Sequence, residues 1–368
     1  MIVFRFLLKS FMWLLLLVVL LVAASATFMT LAPTFGAKPS GDSLARMKLS
    51  RHYKDGKFFN NEATRISTSQ PGESMGLADY IFPAKNKNPD FPLPSLQFDK
   101  NSFDNGDFVW FGHSTLMFRS RQTNILIDPV FNRASPIPIG GKSFEMQVKP
   151  KLDALPAIDV VLISHDHYDH LDHLAMGELA STTELFLVPL GIQAHLLRWG
   201  VPVEKIIELD WFESHEVGET TFTLTPSRHF SGRGINNRFS TLWGSWVVKS
   251  NSLSVFLSGD SGYTDDFKLI GEQFGPFDIA FVENGAYDKQ WAQIHMMPEQ
   301  SVQAALDLNA KLFFPIHWGK FDLAKHRWVE PIERAVAEAN KQNLMLVAPV
   351  VGQVFQLDSP PFEAWWEI

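Results

Sequence analysis

The sequence predicts a layered α/β domain carried behind an N-terminal membrane segment. Three observations lead there. Short β-branched and aromatic runs alternate with helix-length segments from residue 107 onward. Several of those runs end on a histidine or aspartate. A charge-free apolar stretch opens the chain.

Arg5 and Lys9 precede residues 10–37, which carry no charge, and residues 11–22 are apolar throughout. That suffices for one span of about 20 residues. The basic flank places the N-terminus in the cytoplasm and the remainder across the membrane. Ala24-Ser25-Ala26 also fits the cleavage site of a signal peptide; the apolar run continuing through Phe28, Met29 and Leu31 favours an anchor. Residues 1–32 are therefore expected to be a transmembrane anchor or a signal peptide. Either one exports the rest to the periplasmic side of a bacterial cell envelope.

Residues 33–106 are rich in Pro, Gly, Asn and Lys, as in Lys38-Pro39-Ser40-Gly41 and Lys85-Asn86-Lys87-Asn88-Pro89. They read as an extended lead-in wrapping the main domain, with one short helix near 43–49. The main domain is expected over 107–368. Strands are expected at 108–111, 115–118, 124–128, 159–164, 184–188, 206–209, 220–225, 245–249, 254–257 and 279–282. Helices are expected at 171–179, 194–199, 264–274 and 298–308.

Composition narrows the function. The formal charge of −8, with no Lys/Arg run, argues against a nucleic-acid partner, because phosphate binding needs a concentrated basic surface. The 31 Phe and 11 Trp point to a well-filled core. There is no cysteine, which removes disulfides, thiolate metal sites and cysteine nucleophiles together. Any metal must be held by His, Asp and Glu.

Those residues are concentrated in His165-Asp166-His167-Tyr168-Asp169-His170, directly after an apolar strand. A loop there lets several side chains converge while the strand fixes its base. Imidazole and carboxylate ligands suit zinc, and also iron or manganese. Three further donors follow apolar strands: His229, Asp260 and His317. Together the residue types suffice for two cations sharing one carboxylate, which clamp an attacked centre and its leaving oxygen. Spacing leaves open which ligand serves which metal.

Motifs along most of the chain carry a family resemblance. They include Trp110-Phe111-Gly112-His113-Ser114-Thr115, Asp128-Pro129-Val130-Phe131, Gly259-Asp260-Ser261-Gly262-Tyr263, Gly285-Ala286-Tyr287 and Ile316-His317-Trp318-Gly319. With the cluster, they resemble the N-acylphosphatidylethanolamine-hydrolysing phospholipase D family of the metallo-β-lactamase superfamily. The resemblance implies an αββα sandwich with a dimetal site at one edge of its sheets. It implies two Zn2+, with Fe or Mn as alternatives: His165, His167 and His229 on one, Asp169, His170 and His317 on the other, Asp260 bridging. It implies hydrolysis of membrane phospholipid to phosphatidic acid and an N-acylethanolamine. Asp169 would both ligate and orient the attacking water, and His295 would protonate the leaving group or hydrogen-bond a phosphoryl oxygen. Tyr287 and Tyr168 read as contacts to a substrate phosphate or as packing residues only, with Tyr287 the stronger candidate for contact.

The sequence departs from that family after His229, where Phe230-Ser231-Gly232-Arg233 stands in place of an expected Trp-Cys pair. Acyl or headgroup preference is affected there. A lactonase or another small-ester or amide hydrolase of the same fold is the alternative enzyme; a non-catalytic metal-binding envelope protein is the alternative of another class. Among the remaining residues, His113 reads as a donor to a ligand carboxylate or as a turn residue, and Asp166 as a support rather than a ligand. His173 belongs to the helix after the cluster; His52, His195, His215 and His326 read as ordinary surface or core residues. Met296-Met297 with Trp291 reads as core, or as an apolar lip.

Overall fold

The computed structural model describes residues 2–69 and 85–367. Helix α1 (Ile2–Leu31) has a mean hydropathy of 2.6 over Phe4–Leu31. Its apolar side chains are exposed all round, Trp13 by 71%. At about 1.5 Å per residue it exceeds the roughly 30 Å of a bilayer's hydrocarbon core. It is long and apolar enough to cross a membrane. The lead-in follows with α2 (Gly41–Met47), a little earlier than expected, and a hairpin of β1 (Tyr53–Lys54) and β2 (Lys57–Phe58). The part of the lead-in over 70–84 lies outside the described residues.

Two seven-stranded sheets form the body. The first holds β3 (Phe108–Trp110), β4 (Leu116–Ser120), β5 (Thr123–Ile127), β6 (Ile158–Leu162), β7 (Thr183–Pro189) and β8 (Ile206–Leu209), with β16 (Val354–Phe355) beside β3. The second runs from β9 (Ser214–Val217) through β10 (Thr220–Thr225), β11 (Ser245–Lys249), β12 (Ser254–Leu257), β13 (Phe277–Glu283) and β14 (Ala310–Ile316) to β15 (Met345–Leu346). Each sheet is antiparallel on one side and parallel on the other, from β5 to β8 and from β12 to β15. Parallel neighbours need crossovers. Helix α3 (His173–Thr182) joins β6 to β7, and α4 (Gln193–Arg198) lies between β7 and β8. Helices α5 (Asp266–Phe274) and α6 (Pro298–Asp307) join β12 to β13 and β13 to β14, and α7 (Glu330–Gln342) packs on α6.

Period-two alternation sorts the apolar side chains. Ile125, Ile127, Val160 and Leu162 enter the core between the sheets with Phe222, Leu224 and Trp246. Leu126, Val161 and Ile163 face the other way, against Ala175, Met176 and Leu179 of α3. Burying each such large side chain contributes about 1.5–3 kcal/mol. Helix α3 begins at His173 rather than 171 because Asp172 caps it, its carboxylate accepting from the Leu174 and Ala175 amides.

This topology sets the position of the site. Strands running the same way end at the same edge, and β3, β6, β10, β12, β13 and β14 all deliver their C-termini to one edge of the two sheets.

Candidate metal centre

The loop after β6 is pinned at its base. Ser164 donates its amide and its hydroxyl to the two oxygens of Asp128, at 2.8 and 2.6 Å. A tight turn follows, in which the His170 and Leu171 amides both donate to the His167 carbonyl. Side chains of 165, 167, 169 and 170 thereby converge, and the ends of β10, β12 and β14 bring His229, Asp260 and His317 to the same place.

Two donor sets result. In the first, His167 Nδ1 lies 2.9 Å from His165 Nε2 and 3.2 Å from His229 Nε2. Asp260 Oδ2 is 3.6 Å from both Nε2 atoms. In the second, His170 Nε2 and His317 Nε2 are each 3.1 Å from Asp260 Oδ1, and Asp169 Oδ2 is 3.2 Å from His317 Nε2. Asp260 thus offers one oxygen to each set.

A metal ion fits both. Ligand distances of roughly 2.0–2.2 Å place tetrahedral donors about 3.3–3.6 Å apart, close to the 2.9–3.6 Å found here. His170 Nε2 and Asp260 Oδ1, 3.1 Å apart, are both buried with no partner in hydrogen-bond geometry, and a cation between them would satisfy both. The other ring nitrogens are occupied: His165 Nδ1 by Ser164 Oγ at 3.0 Å, His229 Nδ1 by the Ile294 carbonyl at 2.9 Å, His170 Nδ1 by Asp128 at 2.7 Å and His317 Nδ1 by the Gly285 carbonyl at 3.2 Å. Such contacts fix the tautomer and aim Nε2 inward. Gly285 is required there, because a Cβ would stand 2.0 Å from the His317 carbonyl oxygen.

Charge separates the two sets. Burial, with neighbouring imidazoles adding to it, holds His165 well below the usual histidine range; burial does the same for His229. Burial also opposes charge on His317, but Asp260 and Asp169 outweigh it and push its pKa up to about 10. His170 is raised well above its ordinary value on the same terms, with Asp128 adding. Asp169 and Asp260 stay well below the usual carboxylate range: burial disfavours their charge, and the surrounding imidazoles outweigh it.

Both sequence readings of His113 hold. It sits in a left-handed turn (φ 58°), and its Nε2 lies 2.9 Å from Asp169 Oδ2. Asp166 points away from the donors, accepting from the Gly232 amide and the Thr241 hydroxyl. His295 borders the same cavity, and its Nδ1 lies 2.9 Å from Glu283 Oε2. Glu283, fully buried at the end of β13, also accepts from the Met296 amide at 2.6 Å. Nothing in the sequence reading singled out Glu283; the available signal was a carboxylate closing an otherwise apolar strand.

Tyr168 and Tyr287 follow the packing alternative of their reading. Tyr168 gives its hydroxyl to the Arg233 carbonyl, and its ring lies 4.1 Å beneath the Arg233 guanidinium. Tyr287 donates to Glu330 at 2.7 Å and stacks on His326. Neither tyrosine lines the cavity at the donor sets, because each is held by a neighbouring loop or helix instead. His195 and His52 take the core alternative of their reading, both buried and bonded: His195 faces Asp166, and His52 packs on Trp211. Met296 is core, whereas Trp291 and Ile294 line the cavity.

That cavity, about 450 Å³, has the donors at its base and Ile66, Phe230, Trp291 and Leu323 in its walls. The lead-in supplies one wall. Asn60 brackets the His229 backbone, donating to its carbonyl and accepting from its amide, and the Thr68 amide donates to the Gln290 carbonyl. Nothing in the amino-acid pattern of residues 33–106 announces this part in the site.

Comparison with known proteins agrees with this fold. Residues 123–318 match the Beta-lactamase superfamily domain. A protein of Mycobacterium tuberculosis is 39% identical over 332 residues, 87% of this chain and 88% of that one. The N-acyl-phosphatidylethanolamine-hydrolyzing phospholipase D 1 of Caenorhabditis elegans is 31% identical over 312 residues, 76% of this chain and 86% of that one. Among solved structures, a metallo hydrolase of the archaeon Ignicoccus hospitalis superposes with a TM-score of 0.52 at 20% identity, over 68% of this chain and 97% of that one. With the two-sheet sandwich and the clustered His and Asp donors at its edge, the chain belongs to the β-lactamase superfamily and has the fold of its metal-dependent hydrolases.

Proposed function

We propose that the protein is a dinuclear zinc phosphodiesterase that cleaves N-acylphosphatidylethanolamine-type phospholipids from the periplasmic side of a bacterial envelope membrane. The observation that carries this reading is the pair of donor sets sharing Asp260 at the base of an apolar-walled cavity, in a chain opened by a membrane-length helix. The similarity to the Caenorhabditis elegans enzyme supports the substrate class.

His165, His167 and His229 would hold one cation, Asp169, His170 and His317 the other, and Asp260 would join them. Bound there, two cations supply Lewis-acid stabilisation of a phosphoryl group and its leaving oxygen. The residues of the chain do the rest. Water adds to phosphorus and the bond to the ethanolamine oxygen breaks, leaving phosphatidic acid and an N-acylethanolamine. Asp169, at the cavity base, orients that water. His295, steadied by Glu283, hydrogen-bonds a phosphoryl oxygen or hands a proton to the departing oxygen. Ile66, Phe230, Trp291 and Leu323 take the apolar part of the substrate and exclude water from the reacting atoms.

The test is to incubate the zinc-loaded protein with mixed phospholipids and identify products by mass spectrometry. Joint release of N-acylethanolamine and phosphatidic acid is expected. Rapid opening of lactones with no phospholipid turnover would replace the reading with that of a small-ester hydrolase.

A further inference from the structure

The chain just beyond α1 is seated on α4 and Arg233 rather than left as a tether, with Thr34 and Gly36 buried. Arg198 of α4 gathers the carbonyls of Leu31 and Gly36, at 2.8 and 2.6 Å, and the Trp199 indole donates to the Pro33 carbonyl. Arg233, almost wholly buried, donates to the Thr34 carbonyl on one side and to the Asp166 and Leu171 carbonyls on the other. The Ala37 amide donates to His195 Nδ1 at 2.9 Å, and His195 Nε2 faces Asp166 Oδ2 at 3.3 Å.

The directions of these bonds are informative. A backbone amide only donates, so His195 Nδ1 is the acceptor and the neutral ring carries its proton on Nε2, toward Asp166. One tautomer satisfies both contacts. Asp166 stands between His165 and His167, and its buried carboxylate is filled from three directions by Gly232, Thr241 and His195. The fit of chain to ring is close. Gly36 has a φ of 68°, and a Cβ on it would lie 2.0 Å from His195 Nδ1.

We infer that His195 is a positioning residue of the metal centre, transmitting the seating of residues 33–37, which follow the membrane helix, through Asp166 to the loop bearing His165, His167, Asp169 and His170. The membrane attachment and the metal loop are then one rigid unit. A chain cleaved after Ala26 keeps residues 33–37, so the arrangement serves the anchored and the processed forms alike. This role rests on the metal centre proposed above and holds whatever the substrate.

The test uses the full-length protein in detergent micelles, with zinc affinity measured by chelator competition and thermal stability measured without metal. His195→Phe keeps the ring volume and removes both bonds; Gly36→Ala disturbs the ring without altering any donor. Each is expected to weaken zinc binding by about 10- to 100-fold, the usual consequence of losing a support behind a ligand. His195→Gln, which retains an acceptor and a donor, is expected to recover part of it. Zinc affinity equal to that of the unaltered protein in His195→Phe and Gly36→Ala would overturn the inference, including when metal-free stability falls, since His195 would then be core packing alone. Should His195→Phe not fold, Gly36→Ala decides.

Discussion

On one side of Asp260 the histidines lean only on neutral groups; on the other, His317 leans on the Gly285 carbonyl but His170 leans on a carboxylate, and a second acid, Asp169, joins the set. His165 rests on the Ser164 hydroxyl and His229 on the Ile294 carbonyl, with no acid among their supports. His170 rests on Asp128, and Asp169 sits between His113 and His317. The first set is therefore held neutral by burial, with its lone pairs ready for a cation. In the second set three carboxylates raise His170 and His317 instead, so a metal binding there would have to displace their protons. Similar ligand types give one site that is prepared for metal and one that exchanges protons for it.

The shared oxygen pair makes Asp260 the largest lever. Asp260→Asn is expected to weaken both metals and reduce turnover by about 10³-fold or more, beyond the 10²–10³ typical of one lost stabilising donor. Asp169→Asn is expected to abolish hydrolysis while the fold and the first metal persist. Metal content by elemental analysis separates the two variants. Two metals retained at full affinity in Asp260→Asn would break the claim that the sets share this carboxylate.

Acidity tests the contrast directly. Titration calorimetry in buffers of different ionisation enthalpy should show about two protons released on binding the second metal near pH 7, and none from His165 or His229 on binding the first. Affinity for the second metal should then fall by roughly tenfold per displaced proton for each unit of acidification. Without metal, the raised pKa of His317 stabilises the folded chain below its ordinary value near 6.5, and that contribution is lost as pH rises toward about 10. Equal proton release at both sites would erase the distinction.

How much of this the sequence disclosed follows from what is local. The His165–His170 run and the strands before it are contiguous, and His229, Asp260 and His317 each follow an apolar run, so the donors were legible. Their division into two sets is a fact of three dimensions; it entered through resemblance and appears here as distances to the two oxygens of Asp260. Glu283 and Asn60 went unread, and His195 was read only as an ordinary surface or core residue, because each works through a partner elsewhere in the sequence: Glu283 through His295, His195 through Ala37 and Asp166, Asn60 through His229. Strands β15 and β16, two residues each, exist only by pairing with β14 and β3 and carry no periodicity of their own. Tyr168 and Tyr287 share the reverse fault. Their residue type suits a phosphate, but burial and the partners Arg233 and Glu330 claim them first.

A smaller effect isolates the carboxylate support. Asp128→Asn keeps the shape of the side chain that takes His170 Nδ1 at 2.7 Å and removes its charge. Affinity for the second metal is expected to fall about tenfold, at the low end for such supports, with the first metal nearly unchanged. A uniform loss at both sites would indicate that Asp128 acts by holding the whole loop through Ser164.

Ser164→Ala probes the remaining link between the halves. Its single hydroxyl proton goes to Asp128, 2.6 Å away, so toward His165 Nδ1 the oxygen only accepts. That contact leaves His165 Nε2 bare and aimed at the cation. Losing it should cost about 1 kcal/mol, near fivefold in affinity for the first metal. Asp128 would still hold the residue-164 amide and His170, so the second metal should lose less, through only the longer 3.3 Å contact of the hydroxyl with His170 Nδ1. Competition with a chelator at two metal stoichiometries reads both affinities. A variant that loosens the second metal and spares the first would reverse the assignment, because the hydroxyl would then act through Asp128 rather than on His165.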